Sequence, residues 1–212
     1  MIVAKRMMRN PVTVDENDSM KKAMDLLRER DIRHLPVLKD GEKLVGILTE
    51  RDIKQASPSP ATALEIREIY YLLDKVKIKQ IMTRRPYTIS STAPIEEAAL
   101  IMREKKIGCL PVVDAGRVVG ILTETDILDA FIEGMGVSGP GYRMEIALPN
   151  RPGMLYEILK MMKDFDANVV SVATATHDDT DRKILILRIE TKNYKLLKAA
   201  IKKAGYEMLS AD

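Results

Sequence analysis

Two stretches of the chain carry the same arrangement of apolar and polar positions. Residues 32–53 read IRHLPVLKDGEKLVGILTERDI, and residues 107–127 read IGCLPVVDAGRVVGILTETDI. In each stretch, two short and apolar runs rich in β-branched residues flank a glycine turn, at Gly41 and Gly116, which predicts a pair of strands. Because two copies of one unit usually pack around a pseudo-twofold axis, the repeat predicts two related clefts.

Each copy has the same predicted order of elements. A short strand comes first, at residues 12–14 and again at 87–89, and a helix follows it. In the first copy Ser19 is expected to cap this helix. In the second copy Pro94 is expected in the first helical turn, where its missing N–H does no harm. The pair of strands comes next, and a second helix is expected to begin at Thr49 or Thr123.

Breaks in the pattern predict where the domains begin and end. The sequence Ser-Pro-Ser-Pro at residues 57–60 interrupts the chain, and a helical stretch from about 61 to 73 follows. Four glycines and a proline within residues 134–141 predict a hinge. The predicted order is a first repeat, a helical connector, a second repeat, the glycine-rich hinge and a C-terminal domain, at residues 1–56, 57–75, 76–133, 134–141 and 142–212.

The C-terminal part has a different pattern from the repeats. Residues 142–148 alternate, with Met144, Ile146 and Leu148 on one face, and a helix, two strands, a helix and a last strand are expected after them. The order βαββαβ predicts a ferredoxin-like sandwich. The whole chain is therefore predicted to be of the α/β (α+β) class.

Composition excludes several classes of protein. Lys and Arg number 34 against 31 Asp and Glu, and because no concentrated basic stripe is visible, a nucleic-acid partner is not expected. One cysteine, Cys109, allows neither an intrachain disulfide nor a multi-cysteine zinc site. Without a run of 18 apolar residues, no membrane span is expected. The composition is typical of a soluble protein of a reducing compartment, and a cytoplasmic location is expected.

The recurring Thr and Asp allow two interpretations. Thr49 with Asp52, and Thr123 with Asp126, form near capping boxes, which would contribute about 1 kcal/mol to each helix without any ligand. A hydroxyl and a carboxylate in a cleft also suit the sugar of a nucleotide, and a helix N-terminus attracts phosphate. The two interpretations are compatible.

Residues 2–131 resemble a pair of CBS domains, the tandem unit called a Bateman module. The resemblance rests on Met8 and Met82, on Leu-Pro-Val at 35–37 and 110–112, and on the two Gly-Ile-Leu-Thr-Glu-x-Asp blocks. It implies that the Asp of each block binds ribose hydroxyls, that its Thr lies near ribose or phosphate, and that a Thr of the first strand lines the partner cleft. The nucleotide-binding residues implied are Thr13, Thr49, Asp52, Thr88, Thr123 and Asp126.

The two clefts are expected to differ in charge. The first copy offers Arg33, His34 and Arg51, where the second has Gly108, Cys109 and Thr125. Because phosphate needs cationic or N–H donors, the cleft of the first copy is predicted to bind AMP, ADP or ATP. The other cleft should prefer a less charged adenosine compound or remain empty. The alternative for the two arginines is an ordinary solvated surface.

Residues 142–212 resemble an ACT domain through Leu-Pro-Asn-Arg-Pro-Gly-Met-Leu at 148–155. ACT domains commonly pair side by side and bind amino acids through this turn, so the resemblance implies a possible amino-acid site at Asn150, Gly153, Met154 and Leu155. Asn150 stands where Asp is frequent, and an amide cannot give the same charge-assisted bond to an amino group. Dimerisation alone is the alternative.

The whole chain is similar to AcuB-type acetoin utilisation proteins, which implies a regulatory role in acetoin or related carbon metabolism. The hypothesis is a homodimeric sensor with no obligatory cofactor, in which an adenosine nucleotide acts as regulatory ligand and affects an unidentified enzyme partner through the hinge. A constitutive assembly scaffold with vestigial clefts is the alternative. Catalysis is disfavoured because His34 and His177 lie in no recognisable catalytic motif. The polar loop at 177–181 could suggest a metal site, but an ordinary hairpin loop explains it.

Overall fold

The structure is a computed structural model that describes residues 1–57, 66–179 and 181–211. The chain forms two compact units, Met1–Leu128 and Asp129–Asp212. None of the helices in these described ranges is long and apolar enough to cross a bilayer.

The first unit contains the first repeat and the second repeat as far as Leu128 in its last helix. The first repeat consists of a 3-10 turn at Val3–Lys5 and the elements β1 (Met8–Arg9), β2 (Val14–Asp15), α1 (Met20–Glu29), β3 (His34–Lys39), β4 (Lys43–Thr49) and α2 (Glu50–Ala56). A connecting helix α3 (Ile66–Lys75) and a single turn α4 (Ile78–Ile81) follow. The second repeat then forms β5 (Thr83–Arg84), α5 (Ile95–Lys105), β6 (Cys109–Asp114), β7 (Arg117–Thr123) and α6 (Glu124–Gly134).

The repeats exchange their first strands. One sheet has the order β2-β3-β4-β5 and the other has the order β1-β7-β6. Strand β5, which opens the second repeat, pairs antiparallel with β4 of the first repeat, and β1 pairs in the same way with β7. Each sheet is therefore completed by residues from the other copy.

A methionine packed on a glycine holds each exchanged strand in place. A Cβ atom at Gly46 would overlap the sulfur of Met82 and lie 3.0 Å from the carbonyl oxygen of Thr83. A Cβ at Gly120 would lie 2.5 Å from the sulfur of Met7. The structural equivalent of Met82 is thus Met7, and the sequence-based pairing of Met82 with the half-exposed Met8 was wrong by one residue.

Local signals predicted the helices better than the first strands. Ser19 caps α1 as expected, with its hydroxyl accepting a hydrogen bond from the Lys22 N–H at 3.3 Å. Pro94 is the N-cap residue of α5 and not part of its first turn. The strand expected at 12–14 is instead Val14–Asp15, and in the range 87–89 a single bridge joins Ile89 to Val112. These segments lie at the edges of the sheets and contribute few ladder bonds.

The connector adds to the core of the first repeat. Helix α1 buries Met20, Ala23 and Leu27, and Leu73 of α3 and Ile78 of α4 belong to the same apolar cluster. The expected helix from about 61 to 73 is described from Ile66 onward. Residues 58–65, which hold most of the expected break at 57–60 and the start of that helix, lie outside the described residues.

The second unit has the predicted ferredoxin-like order. It consists of β8 (Tyr142–Pro149), α7 (Met154–Asp164), β9 (Asn168–Thr176), β10 (Arg182–Glu190), α8 (Tyr194–Lys203) and β11 (Glu207–Ala211). The sheet is antiparallel with the order β11-β8-β10-β9. Met144, Ile146 and Leu148 face its core, which confirms the alternation found in the sequence.

Glycines of the expected hinge pack against this sheet. Gly136 has φ 64°, and a Cβ there would lie 2.6 Å from Val170 of β9. Gly141 has φ 127°, and a Cβ there would lie 2.6 Å from the carbonyl oxygen of Ile189 on β10. The hydroxyl of Ser171 donates to the carbonyl of Met135 at 2.9 Å. Glycine is required at both positions, because the backbone is left-handed there and an atom of the sheet leaves no space for a Cβ.

We expect Gly46→Ala to destabilise the first unit by about 1–3 kcal/mol, since the new methyl group overpacks against Met82 and the Thr83 carbonyl. Urea unfolding followed by circular dichroism measures the loss. Gly108→Ala is the matched control, because a Cβ there meets its nearest atom at 3.4 Å, an ordinary contact. Combining Gly46→Ala with Met82→Ala should cost less than the sum of the two single changes. Additive costs would contradict the proposed packing.

Candidate functional site

A large cavity in the first unit is lined by residues of both repeats. Its volume is about 780 Å³, within the range of about 300–1,000 Å³ typical of small-molecule sites. The lining residues are Arg33, His34, Ile47, Thr49, Glu50, Arg51, Asp52, Gln55, Thr83, Arg84, Arg85, Pro86, Tyr87, Lys106, Ile107, Gly108, Cys109, Thr123, Glu124 and Thr125.

A capping box fixes the carboxylate of Asp52 at this cavity. Its Oδ2 accepts hydrogen bonds from the backbone N–H of Thr49 at 2.8 Å and from the Thr49 hydroxyl at 2.7 Å. The N–H of Asp52 donates back to the same hydroxyl oxygen at 3.2 Å. Oδ1 accepts no hydrogen bond from the described residues. Capping therefore uses one carboxylate oxygen and leaves the other for a ligand.

The second repeat builds the same box at a different place. Thr123 donates to Oδ2 of Asp126 from its N–H and from its hydroxyl, both at 2.7 Å. Thr123 lines the cavity, whereas Asp126 does not. The two boxes thus have the same local chemistry and differ in their exposure to this cavity.

His34 lies beside the Thr49 box because the register of β3 and β4 sets it opposite Thr49. Burial, reinforced by the charge of Arg33, lowers the pKa of His34 below its usual 6.5, while the carboxylates of Glu124 and Asp52 oppose this effect. Glu124 and His34 also approach Gly108, since a Cβ there would lie 3.4 Å from Glu124 Oε2 and 3.7 Å from His34 Nε2. At pH 7 the imidazole is therefore mostly neutral.

The lining carries more cations than carboxylates. Five lining residues are cationic, namely Arg33, Arg51, Arg84, Arg85 and Lys106, and three are acidic, namely Glu50, Asp52 and Glu124. Glu50 pairs with Lys54 on the next turn of α2 at 2.7 Å, which neutralises part of the acidic set. The cavity is therefore suited to an anionic group.

Two residues of the lining, Ile47 and Cys109, belong to a buried apolar cluster. Ile47 and Ile121, from the two repeats, form a buried cluster with Cys109. Burial, together with the charges of Glu124 and Asp52, raises the pKa of the Cys109 thiol to about 12. The thiol is consequently protonated at neutral pH and packs as a small apolar group.

The cavity brings together six of the nine residues predicted to bind nucleotide. These are Arg33, His34, Thr49, Arg51, Asp52 and Thr123. Thr13, which is half-buried, and Thr88, which is exposed, do not line it, and neither does Asp126.

Sequence reasoning missed the segment at 83–87 and Lys106. Residues 84–86 read Arg-Arg-Pro and align with Arg-Asn-Pro at 9–11 under the repeat offset. This alignment was available in the sequence, but the segment reaches the cavity only because β5 joins the sheet of the other repeat.

The second unit has a smaller pocket of about 280 Å³, lined by Asn150, Thr174, Ala175, Thr176, Arg182 and Lys183. Of the four predicted amino-acid-binding residues, Asn150 lines it. Gly153 is the N-cap of α7 with φ 88°, Met154 is buried in the core, and Leu155 is largely exposed.

The polar loop before β10 forms local hydrogen bonds. The Asp179 N–H donates to His177 Nδ1 at 3.0 Å, and the Asp181 N–H donates to Asp179 Oδ1 at 3.0 Å. Within the ranges that the structure describes, no three His, Cys, Asp or Glu side chains form a group that could hold a metal ion.

Comparison with known proteins identifies the class. The CBS domain family model matches residues 3–59 and 78–133, and a TTHA0829-like ACT domain model matches residues 140–211. The chain belongs to the CBS domain family, as a tandem pair followed by an ACT-like domain.

Curated relatives share mainly the CBS pair. A CBS domain-containing protein of Dictyostelium discoideum is 33% identical over 62% of this chain and 92% of its own length. A homoserine O-acetyltransferase of Methanococcus vannielii is 34% identical over 59% of this chain, yet the match spans 24% of that enzyme. The enzyme's activity therefore does not transfer through the shared region.

Solved structures give the same fold. The CBS pair of protein MJ0100, in complex with 5′-methylthioadenosine and S-adenosyl-L-methionine, is 33% identical with a TM-score of 0.52, covering 62% of this chain and 99% of that one. CBSX2 in complex with AMP is 28% identical with a TM-score of 0.51, covering 62% and 96%. A Vibrio cholerae protein assigned to acetoin utilization (AcuB) is 30% identical with a TM-score of 0.53, covering 66% and 98%.

We expect His34 to make the fold sensitive to mild acid. Its pKa is lowered in the folded state, so below about pH 6.5 the unfolded chain takes up a proton that the folded chain does not. The part of the folding stability that depends on neutral His34 is fully present above about pH 6.5, and it is lost as the pH drops through the folded-state pKa of His34. Melting temperatures from pH 7.5 to 5 should therefore fall less in His34→Gln than in the parent. Parallel curves for the two proteins would show that His34 does not contribute.

Proposed function

We propose that this protein is a regulatory sensor whose CBS pair binds an adenosine-containing ligand in the cavity of the first unit. The observation that carries the proposal is the position of Asp52: one carboxylate oxygen is held by Thr49 and the other accepts no bond from the described residues, in a cavity of about 780 Å³. The ligands in the MJ0100 and CBSX2 structures support the adenosine class.

Ribose is the part of the ligand that suits Asp52. Vicinal hydroxyls donate well to a fixed carboxylate, and each hydrogen bond to a charged acceptor contributes about 1.5–3 kcal/mol. The box orients Asp52 before the ligand arrives, so little side-chain entropy is lost on binding. Thr49 and His34 lie beside it to contact the sugar or its first phosphate.

A regulatory role suits the lining better than catalysis does. The Cys109 thiol is held protonated, and the Asp52 carboxylate is engaged in capping, so neither forms a nucleophile–base pair with His34. The ACT-like domain supplies the second regulatory element, with Asn150 at the pocket of the second unit as its candidate amino-acid contact. Similarity to the Vibrio cholerae protein supports acetoin or related carbon metabolism as the process controlled. Homodimerisation and a cytoplasmic location are part of the same proposal.

Two matched variants separate ligand binding from capping. Asp52→Ala and Asp126→Ala each remove the same capping box, so each should lower the free energy of unfolding by about 1 kcal/mol. In calorimetric titration with AMP, Asp52→Ala should weaken binding tenfold to hundredfold, because a charge-assisted contact to ribose is lost. Asp126→Ala should retain binding in this cavity, which Asp126 does not line.

Equal loss of AMP affinity in both variants would assign the effect to a general disturbance of the fold. No binding of AMP, ATP or adenosine by the parent protein would refute the sensor and favour the assembly scaffold.

A further inference from the structure

The two repeats place left-handed residues at corresponding positions. Asn10 and Arg85 have φ of 49° and 51°, and Asp31 and Lys106 have φ of 49° and 54°. In each pair the two residues are 75 positions apart, the offset of the repeat. The surroundings also correspond: the N–H of Asn10 donates to Val119 at 3.4 Å and that of Arg85 to Val45 at 3.3 Å. These positions are thus one backbone feature built twice.

Side chains at these positions differ in a way that the backbone does not explain. Among residues other than glycine, Asn and Asp tolerate the left-handed region best. The first repeat uses that pair, as Asn10 and Asp31, whereas the second places Arg85 and Lys106 there. Two bulky cations in this conformation stand against the local preference, and such departures cluster at functional sites.

Both unusual cations face the same cavity. Arg85 and Lys106 are exposed and line it, together with Arg84, whose Nη2 donates to the Lys79 carbonyl at 3.1 Å. Arg85 and Lys106 form no ion pair with a described residue, so their charges are available to an anion in the cavity. The helix end does not require Lys106, because α1 has Asp31 at the same position.

We propose that Arg85 and Lys106 set the ligand specificity of this cavity, by selecting adenosine compounds that carry phosphate over uncharged ones. This inference rests on the proposed function and assigns two determinants beyond Arg33 and Arg51. The two cations lie outside the Thr49–Asp52 box, so recognition of the nucleoside and recognition of the phosphate are carried by different residues.

Replacing the two cations by their counterparts in the first repeat tests the specificity proposal. Arg85→Asn with Lys106→Asp places the first repeat's residues on the same left-handed backbone, so the melting temperature should not fall. AMP affinity, measured by calorimetry, should drop by about tenfold to hundredfold, since charge-assisted phosphate contacts are lost. Affinity for adenosine should change by less than about threefold. Arg85→Asn alone should give part of the loss.

A control of equal charge change is Lys39→Asn with Lys43→Asp, on the β3–β4 hairpin and outside the cavity lining. It should leave AMP affinity within about threefold of the parent, because exposed charges at a distance are screened. Unchanged AMP affinity in the Arg85/Lys106 variant, or a parallel loss for adenosine, would overturn the specificity assignment while leaving the sensor intact. A parent protein that binds neither compound would overturn both.

Discussion

The exchange of first strands between the two repeats is the constraint on which the CBS pair depends. Strand β5 can lie against β4 only because Gly46 has no side chain and Met82 fills the space above it. Gly120 and Met7 do the same on the other sheet. Neither repeat completes its sheet alone, so the pair folds as one body and the segments that follow the exchanged strands are fixed in position.

The cavity follows from that exchange. Strand β4 ends at Thr49, where the capping box orients Asp52, and β5 ends at Arg84, directly before Arg85. The antiparallel pairing sets Arg84 opposite Gly46, so the chain that follows β5 crosses from one repeat to the sheet of the other, and the Thr49–Asp52 box and the cationic segment at 84–85 both line one cavity. Residues of both repeats line this cavity, so a ligand that binds one arrangement of the repeats better than another would shift how they pack.

Part of this architecture could be predicted from the sequence, because it depends on residues that are close together in the chain. A Thr and an Asp three residues apart identified both capping boxes, and the alternation at Met144, Ile146 and Leu148 identified the first strand of the ACT-like domain. Each of these signals is short-range. From the sequence, the cationic Arg33 and its uncharged counterpart Gly108 were predicted to belong to two separate clefts. In the structure, both residues line one cavity.

The remaining features depend on long-range pairing, which short-range signals do not report. The sequence alone does not show that Met7, and not Met8, packs on Gly120. Nor does it show that the strand exchange brings Arg85 to the cavity, or that the backbone of Arg85 is left-handed. The absence of Thr13, Thr88 and Asp126 from the cavity lining is likewise a consequence of tertiary geometry. The repeat offset aligns Arg85 with Asn10 and Lys106 with Asp31, but only the backbone angles show that these positions are left-handed.

In the proposed complex, the Thr49–Asp52 pair of the first repeat receives the sugar of an adenosine ligand. The most direct test is a diffraction structure of the protein crystallised with AMP. AMP should occupy the cavity between the repeats, with a ribose hydroxyl within hydrogen-bonding distance of Asp52 Oδ1. A cavity that stays empty at saturating AMP, or AMP bound with its ribose away from Asp52, would contradict it.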